Sequence, residues 1–289
     1  MKVGLVLPQS PDDGSGGTWR EILEMARLAE SGGADSVWVC DHFLYRPADR
    51  PQVGYHEAWT LVSALAAATE RVEIGTLVLA TSFRPPGLLA KMAATANDIA
   101  AGRLILGLGC GWYEAEYTAF GYPFDHRVAR FEEALEIIAR LLRGETVTFA
   151  GRWYQLQEAV ILPAPSHETR IMVAAGRPRM LRATARFADQ WQEAWFGLPN
   201  DKYREVRAAF EDACAAEGRD PSTIELTVGV NVGRDAPPER QLPLDPAAIA
   251  DGLNAWAELG IGHVQLGVDP MTPAGFEVAL EGIRRFKAG

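Results

Sequence analysis

A histidine and an aspartate, His42 and Asp41, directly follow the short apolar run Ser36-Val37-Trp38-Val39-Cys40. Imidazole titrates near neutral pH, so His42 can act as a general acid or base. Asp41 can orient a neighbouring group or hydrogen-bond a ligand. The alternative is a loop histidine whose hydrogen bonds are made by the backbone. The other four histidines lack such a placement, and we expect each to be structural or solvated: His56, His126, His167 and His263.

The stretch 103–114 begins with an apolar run of strand length that ends in three glycines at every second position, Gly107, Gly109 and Gly111. Glycine gives backbone freedom and lets a bulky ligand approach the main chain closely. Trp112 can then wall a flat ring, or it can pack against the core. Glu114 and Glu116 can form an acid–base pair, although carboxylates also suit the solvated first turn of a helix. The stretch is typical of a ligand site, but glycines near a strand end also simply turn the chain.

A third candidate region, Gly176 to Met180, lies where a predicted strand gives way to a helix. The amide groups and the positive dipole of a helix N-terminus bind anions. Arg177 and Arg179 add charge that suits a phosphate. The alternative is a solvated basic helix face, because arginines recur further along the same helix.

The sequence lacks the signatures of several other kinds of site. It shows no metal-ligand cluster, P-loop or Ser/His/Asp order. Lys91 and Lys202 lie on predicted helices, which argues against a Schiff-base aldolase. A site with few ionisable groups and many glycines suits a large planar cofactor that carries the redox chemistry itself.

The charge balance of the 289-residue chain disfavours two classes of partner. A net charge of −10 offers no electrostatic footprint for nucleic acid, and no run of basic residues suggests a membrane surface. Cys40, Cys110 and Cys214 are far apart and odd in number, which favours a reduced, cytoplasmic setting. The N-terminal apolar run is too short for a signal peptide, and no later stretch is apolar enough to span a bilayer.

Eight predicted strands alternate with eight predicted helices, and these elements must position the candidate residues. The strands are expected at residues 3–7, 36–40, 72–80, 104–109, 170–174, 189–195, 224–230 and 263–268. Residues 145–156 alternate in polarity and predict a hairpin inserted between the fourth helix and the fifth strand.

This alternation predicts parallel βαβ units closed into one (β/α)8 TIM barrel, a single domain over residues 1–289. The competing topology is an open doubly wound sheet. Its dinucleotide fingerprint should follow the first strand, where Pro8-Gln9-Ser10-Pro11 stands instead. Barrel enzymes carry their sites on the loops after the carboxyl ends of the strands. We therefore expect His42, Gly111 and Gly176 to meet at one mouth.

At these positions the chain resembles the bacterial luciferase-like monooxygenase superfamily, and within it the coenzyme F420-dependent oxidoreductases. The resemblance runs through nearly the whole chain and is weakest after residue 200. The matching segments are 36–42, 66–76, 89–95, 102–112, 119–124, 130–138 and 185–189.

The resemblance implies a TIM barrel with the inserted hairpin, often a dimer, that holds a deazaflavin or flavin in its mouth. In F420-dependent members the position of His42 is the proposed proton donor, and the position of Asp41 touches the deazaflavin. Leu77-Val78 matches a non-proline cis peptide that supports the ring. The other matching cofactor contacts, including the phosphate-binding turn, are Ala80, Cys110, Gly111, Gly176, Arg177, Pro178 and Met180.

Four positions depart from the pattern of the resembled family. Trp112 stands where sugar-phosphate dehydrogenase members place a catalytic glutamate, and Leu44 replaces one of their aromatic residues. Tyr113 replaces an asparagine common in relatives, and Arg177 replaces a glycine. The departures at Trp112 and Leu44 argue against oxidation of a sugar phosphate, whereas Arg177 can either suit a phosphate or narrow the site.

We therefore expect a cytoplasmic F420-dependent oxidoreductase that passes a hydride between the deazaflavin C5 and a small organic substrate. His42 would supply or take the proton, and the loops 43–56 and 231–246 would cover the substrate. The alternatives are a reduced-FMN monooxygenase, a non-catalytic flavin-binding barrel and a flavin-free lyase or isomerase. The apolar helices 57–69 and 88–100 offer a face for a homodimer.

Overall fold

Eight parallel strands form a closed barrel in the computed structural model, which describes residues 1–11, 16–46, 51–233, 237 and 239–289. The strands are β1 (Lys2–Val6), β2 (Ser36–Val39), β3 (Glu73–Thr76), β4 (Leu104–Gly109), β5 (Arg170–Ala174), β6 (Gln190–Phe196), β7 (Glu225–Gly233) and β8 (His263–Val268). Each pairs with the next in chain order, and β8 closes the barrel on β1. The predicted (β/α)8 fold is confirmed.

Nine α-helices accompany these strands in the described part of the chain. They are α1 (Trp19–Gly32), α2 (Ala58–Ala68), α3 (Pro86–Ile99), α4 (Glu114–Phe120), α5 (Arg127–Leu142), α6 (Pro178–Phe187), α7 (Asp201–Ala216), α8 (Pro246–Glu258) and α9 (Pro273–Ala288). The helix not predicted as an element of its own is α4, which lies between β4 and α5. The capping box predicted from Thr18 and Glu21 is present at the start of α1.

The inserted hairpin consists of two antiparallel strands, Val147–Ala150 and Gln155–Ala159. It lies between α5 and β5 as predicted, and its second strand runs three residues further than expected. The predicted third strand, in contrast, is divided. Its second piece, Leu79–Ala80, pairs with the carboxyl end of β4, and the peptide bond Leu77–Val78 between the two pieces is cis.

Alternate residues of the strands fill two different cores, because successive side chains of a strand point to opposite faces. One set packs against the helices in a large apolar cluster. The other set forms a smaller cluster inside the barrel: Val6, Trp38, Leu77, Ile105 and Met172.

A hydrogen-bonded histidine lies at the base of this interior. His263 Nε2 is 2.7 Å from Ser36 Oγ, which also accepts a 2.7 Å hydrogen bond from Trp38 Nε1. Burial, reinforced by the charge of Lys2, lowers the pKa of His263 to about 3. The ring is therefore neutral and structural, in agreement with its expected role.

Parts of three predicted loops lie outside the described residues: 12–15, 47–50, and 234–236 with 238. They belong to the predicted loops 9–17, 43–56 and 231–246. Within the described residues, no helix has the length and apolar character needed to cross a membrane. The same part of the chain holds no group of three or more side chains arranged to bind a metal ion.

Candidate functional site

A cavity of ≈ 530 Å³ opens at the carboxyl ends of the barrel strands. Eight of the eleven predicted site residues line it: Asp41, His42, Leu77, Val78, Ala80, Cys110, Gly111 and Gly176. They come from the ends of β2, β3, β4 and β5, which are neighbours in the barrel. The structure therefore brings the ends of these four strands together around one cavity.

His42 is held by a buried carboxylate from another loop. Its Nδ1 lies 3.0 Å from Glu116 Oε1, and Glu116 Oε2 accepts a 3.0 Å hydrogen bond from the Phe43 amide. Glu116 is only 2% exposed, so its expected place in a solvated helical turn is wrong. Glu114 is exposed, and the two carboxylates do not form the pair considered from the sequence. A carboxylate on Nδ1 fixes the imidazole and leaves Nε2 for proton exchange.

Aromatic rings surround His42 on the side toward the mouth. The ring centroids of Tyr55 and Trp112 each lie 5.8 Å from that of His42, and the centroid of Tyr45 lies 6.3 Å away. Trp112 is 60% exposed and lines the cavity. Of the two readings of this residue, a wall of the site therefore fits the structure, and a core residue does not.

Asp41 lines the cavity, but both of its carboxylate oxygens are already engaged. Arg84 donates to them through Nη1 and Nη2 at 2.8 and 3.0 Å, and the Ala80 amide donates to Oδ2 at 3.0 Å. Arg84 also contacts Glu57. Burial alone would lower the pKa of Arg84, but the hydrogen bonds and charges of Asp41 and Glu57 outweigh it and raise that pKa. Asp41 thus ties the β2 end to the segment after β3.

Glycine is required where the backbone after β4 lines the cavity. A Cβ on Gly111 would lie 1.7 Å from Tyr117 Oη, and the φ of +73° at this residue is one that side-chain-bearing residues rarely adopt. A Cβ on Gly109 would lie 2.8 Å from Val78 Cγ2. Beside them, burial raises the pKa of the Cys110 thiol, which is therefore kept neutral. Val78 and Tyr117 thus occupy the space beside the two glycines, and this part of the cavity lining is uncharged.

Sequence reasoning missed Glu193, which lines the same cavity from β6. Its carboxylate has no hydrogen bond to any other described residue. Burial raises its pKa to about 7, against a small opposing effect of the Lys202 charge. A Cβ on Gly176 would lie 2.9 Å from Glu193 Oε2. Its position could have identified Glu193 in the sequence, because polar residues near the carboxyl end of a barrel strand often take part in catalysis.

The predicted phosphate turn is only partly in the cavity. Gly176 lines it, whereas Arg177, Pro178 and Met180 do not. Arg177 is the exposed N-cap of α6 and makes no capping hydrogen bond, so the first-turn amides of α6 have no side-chain cap. The Met180 side chain packs in the core, which leaves only its backbone to meet a ligand. Arg179 pairs with Glu132.

Comparison with known proteins gives relatives along most of the chain. An F420-dependent glucose-6-phosphate dehydrogenase of Kineococcus radiotolerans is 33% identical over 246 residues, 83% of this chain and 69% of the relative. A phthiodiolone/phenolphthiodiolone dimycocerosates ketoreductase of Mycobacterium kansasii is 34% identical over 264 residues, 82% of this chain and 71% of the relative.

Solved structures share the fold. An F420-dependent secondary alcohol dehydrogenase, in complex with an F420–acetone adduct, superimposes with a TM-score of 0.81 at 20% identity, over 98% of this chain and 97% of that one. An EDTA monooxygenase from Chelativorans sp. BNC1 superimposes with a TM-score of 0.82 at 15% identity, over 100% of this chain and 93% of that one. The model of the luciferase-like monooxygenase family matches residues 1–241, and this chain therefore belongs to that family.

Proposed function

We propose that this protein is an F420-dependent oxidoreductase that transfers a hydride between the deazaflavin C5 and a small organic substrate. The observation that carries the proposal is the His42–Glu116 pair beside a glycine-lined cavity. Relatives that match more than four-fifths of the chain are named for F420-dependent dehydrogenation.

The residues present fit a deazaflavin. A cavity of ≈ 530 Å³ lies within the range of small-molecule sites. Gly109 and Gly111 line the cavity without side chains, and an added Cβ on either would collide with Val78 or Tyr117. The first-turn amides of α6 and the exposed Arg177 provide donors for a phosphate near the rim.

His42 is the proton-handling residue in this proposal. Bound F420 supplies hydride chemistry at C5 of its ring. The Glu116 carboxylate orients the imidazole through Nδ1, so that Nε2 gives a proton to the substrate oxygen when a carbonyl is reduced and takes it back in the reverse direction. Tyr45, Tyr55 and Trp112 limit the access of water to the ring of His42.

Cofactor choice is tested by titrating the purified protein with F420 and with FMN while following the fluorescence of each. We expect F420 to bind at lower concentration than FMN. Tight binding of FMN without binding of F420 would contradict the proposal and favour a reduced-FMN monooxygenase. Binding without turnover of any alcohol or carbonyl compound would favour a non-catalytic flavin-binding barrel.

We also propose a homodimer in the cytoplasm. Leu88 and Ile99 on α3 are 54% and 49% exposed, and Val160 and Leu162 beyond the hairpin are 45% and 68% exposed. Lys91 Nζ of α3 contacts the Leu162 carbonyl, so the exposed apolar residues of α3 and those beyond the hairpin lie on neighbouring parts of the surface. The three cysteines are free, as a reducing compartment requires. Light scattering should give twice the chain mass, and Leu162→Glu should lower it.

A further inference from the structure

The cavity is acidic, and its described lining includes no lysine or arginine. Three carboxylates line it: Asp41, Glu116 and Glu193. Asp41 is neutralised by Arg84, and Glu116 is hydrogen-bonded to His42 and a backbone amide. Glu193 is different, because no described residue donates a hydrogen bond to its carboxylate. The Glu193 carboxylate is therefore available to a ligand in the cavity.

Two indole rings line the same space. Trp112 is 60% exposed and Trp195 is 39% exposed, although both are large apolar side chains. The face of an indole attracts a cation, and aromatic side chains are a common means of binding an organic ammonium group. A neutral ligand would need neither the unpaired carboxylate nor the two indole rings in the same cavity lining.

We infer that the substrate carries an alkylammonium group and that Glu193 is the residue that selects it. The inference rests on the proposed function, because it assigns the substrate class of the same cavity. A sugar phosphate would instead bring two negative charges to a site whose described lining offers no lysine or arginine to meet them. In this respect the chain differs from what the names of its glucose-6-phosphate dehydrogenase relatives indicate.

The test compares two probes of the same shape. Choline carries a trimethylammonium group, and 3,3-dimethyl-1-butanol has a carbon in place of the nitrogen. Isothermal titration of the F420-loaded protein at pH 8 should show that choline binds about tenfold or more tightly than the alcohol, as one cation–π contact plus a charge pair predicts. Glucose 6-phosphate should not compete with choline.

Glu193→Gln keeps the shape of the side chain and removes its charge. This substitution should reduce the preference for choline over the alcohol to a few-fold, because only the cation–π contacts with Trp112 and Trp195 would remain. Glu114→Gln is the matched control, because Glu114 is exposed and does not line the cavity. Trp112→Leu should weaken choline binding without weakening that of the alcohol.

Three results would overturn the inference: equal binding of the two probes, an unchanged preference in Glu193→Gln, or tighter F420 binding in that variant with the preference intact. Tighter F420 binding in Glu193→Gln would indicate that the carboxylate faces the cofactor and not the substrate. Failure of F420 to bind would contradict the proposed function instead. The probe preference of the unloaded protein would still decide the inference about Glu193.

Discussion

At the scale of single residues, the site separates three carboxylates by their partners. Asp41 is tied to arginine, Glu116 to histidine and a backbone amide, and Glu193 to no described group. We therefore expect these identical chemical groups to have a structural, an orienting and a ligand-binding role, respectively. These differences come from partners distant in the chain, so the residue types alone did not reveal them.

His42→Gln tests the proton-handling role. Loss of a general acid–base group costs about 10²–10⁴-fold in rate, so turnover should fall by that amount while F420 binding is nearly unchanged. Glu116→Gln should cause a smaller loss, because His42 remains but is less well oriented. His167→Gln, an exposed histidine, is the control. Unchanged turnover in His42→Gln would contradict the assignment.

Glu193 should make stability depend on pH. Its carboxyl has a pKa near 7 in the folded protein and an ordinary value of 4.5 when unfolded, so the free energy of unfolding falls as pH rises between these values. The groups that also face the cavity are His42, Glu116 and the arginine-paired Asp41, with the exposed Lys202 beyond it.

Glu193→Gln should therefore stabilise the protein by about 1–2 kcal/mol at pH 8 and by less at pH 5. The value at pH 8 allows for solvent screening, because the Glu193 carboxylate is partly exposed. Urea unfolding of both proteins at the two pH values measures this. A stabilisation that is no greater at pH 8 than at pH 5 would show that the carboxyl titrates normally.

At the scale of elements, the segment after β4 decides the shape of the site. Glycine at residue 111 allows the turn, and α4 then carries Glu116 back to His42. Most of the eight strands were predictable because they are short apolar runs between turn signals, whereas β6 is polar and gave a weaker signal. The short α4 was not predicted as an element, because seven residues give too little periodicity and its place depends on the buried contact that Glu116 makes.

Gly111→Ala and Gly121→Ala form a matched pair. Their φ values are +73° and +75°, but a Cβ on Gly111 meets Tyr117 Oη at 1.7 Å whereas a Cβ on Gly121 meets nothing within 4 Å. Gly121→Ala should cost about 1 kcal/mol from backbone strain alone. Gly111→Ala should cost about 2–4 kcal/mol and weaken F420 binding.

Adding Tyr117→Phe to Gly111→Ala removes the atom nearest to the new methyl group and should recover part of this loss. Thermal unfolding and F420 titration should be compared for the unsubstituted protein, Gly111→Ala, Gly121→Ala and the double variant Gly111→Ala/Tyr117→Phe. Equal costs at the two glycines would show that the backbone moves freely away from Tyr117.

At the scale of the whole molecule, barrel closure brings distant strand ends together. The fold and the crevice could be predicted, since alternating strands and helices specify a parallel barrel and parallel strands share one carboxyl edge. The pairing of Asp41 with Arg84 and the partial burial of an unpaired Glu193 could not be predicted, because they depend on side-chain packing between elements. That the chain forms a single domain over 1–289 remains a prediction.

The interior histidine should link the stability of the barrel to acid. Folded His263 stays neutral down to a pKa of about 3, whereas the unfolded residue is protonated below 6.5. The free energy of unfolding should therefore fall as pH drops below 6.5, with a contribution of up to about 1.4 kcal/mol per pH unit.

His263→Gln should make this slope shallower between pH 6 and 4 in urea unfolding, even though the loss of the bond to Ser36 lowers stability at pH 7. The exposed His167→Gln serves as the control. An unchanged slope in His263→Gln would show that other groups cause the acid sensitivity.

The His42–Glu116 contact joins the loop after β2 to the loop after β4. The proposed acid–base pair needs both loops, because one carries His42 and the other carries Glu116. A chimera that takes only one of the loops from a related barrel therefore receives only one member of that donor's pair. Successful grafts should need both segments from the same donor, and natural variation at the two positions should be correlated. We therefore expect the unit that evolution exchanges in this barrel to be a pair of non-adjacent loops.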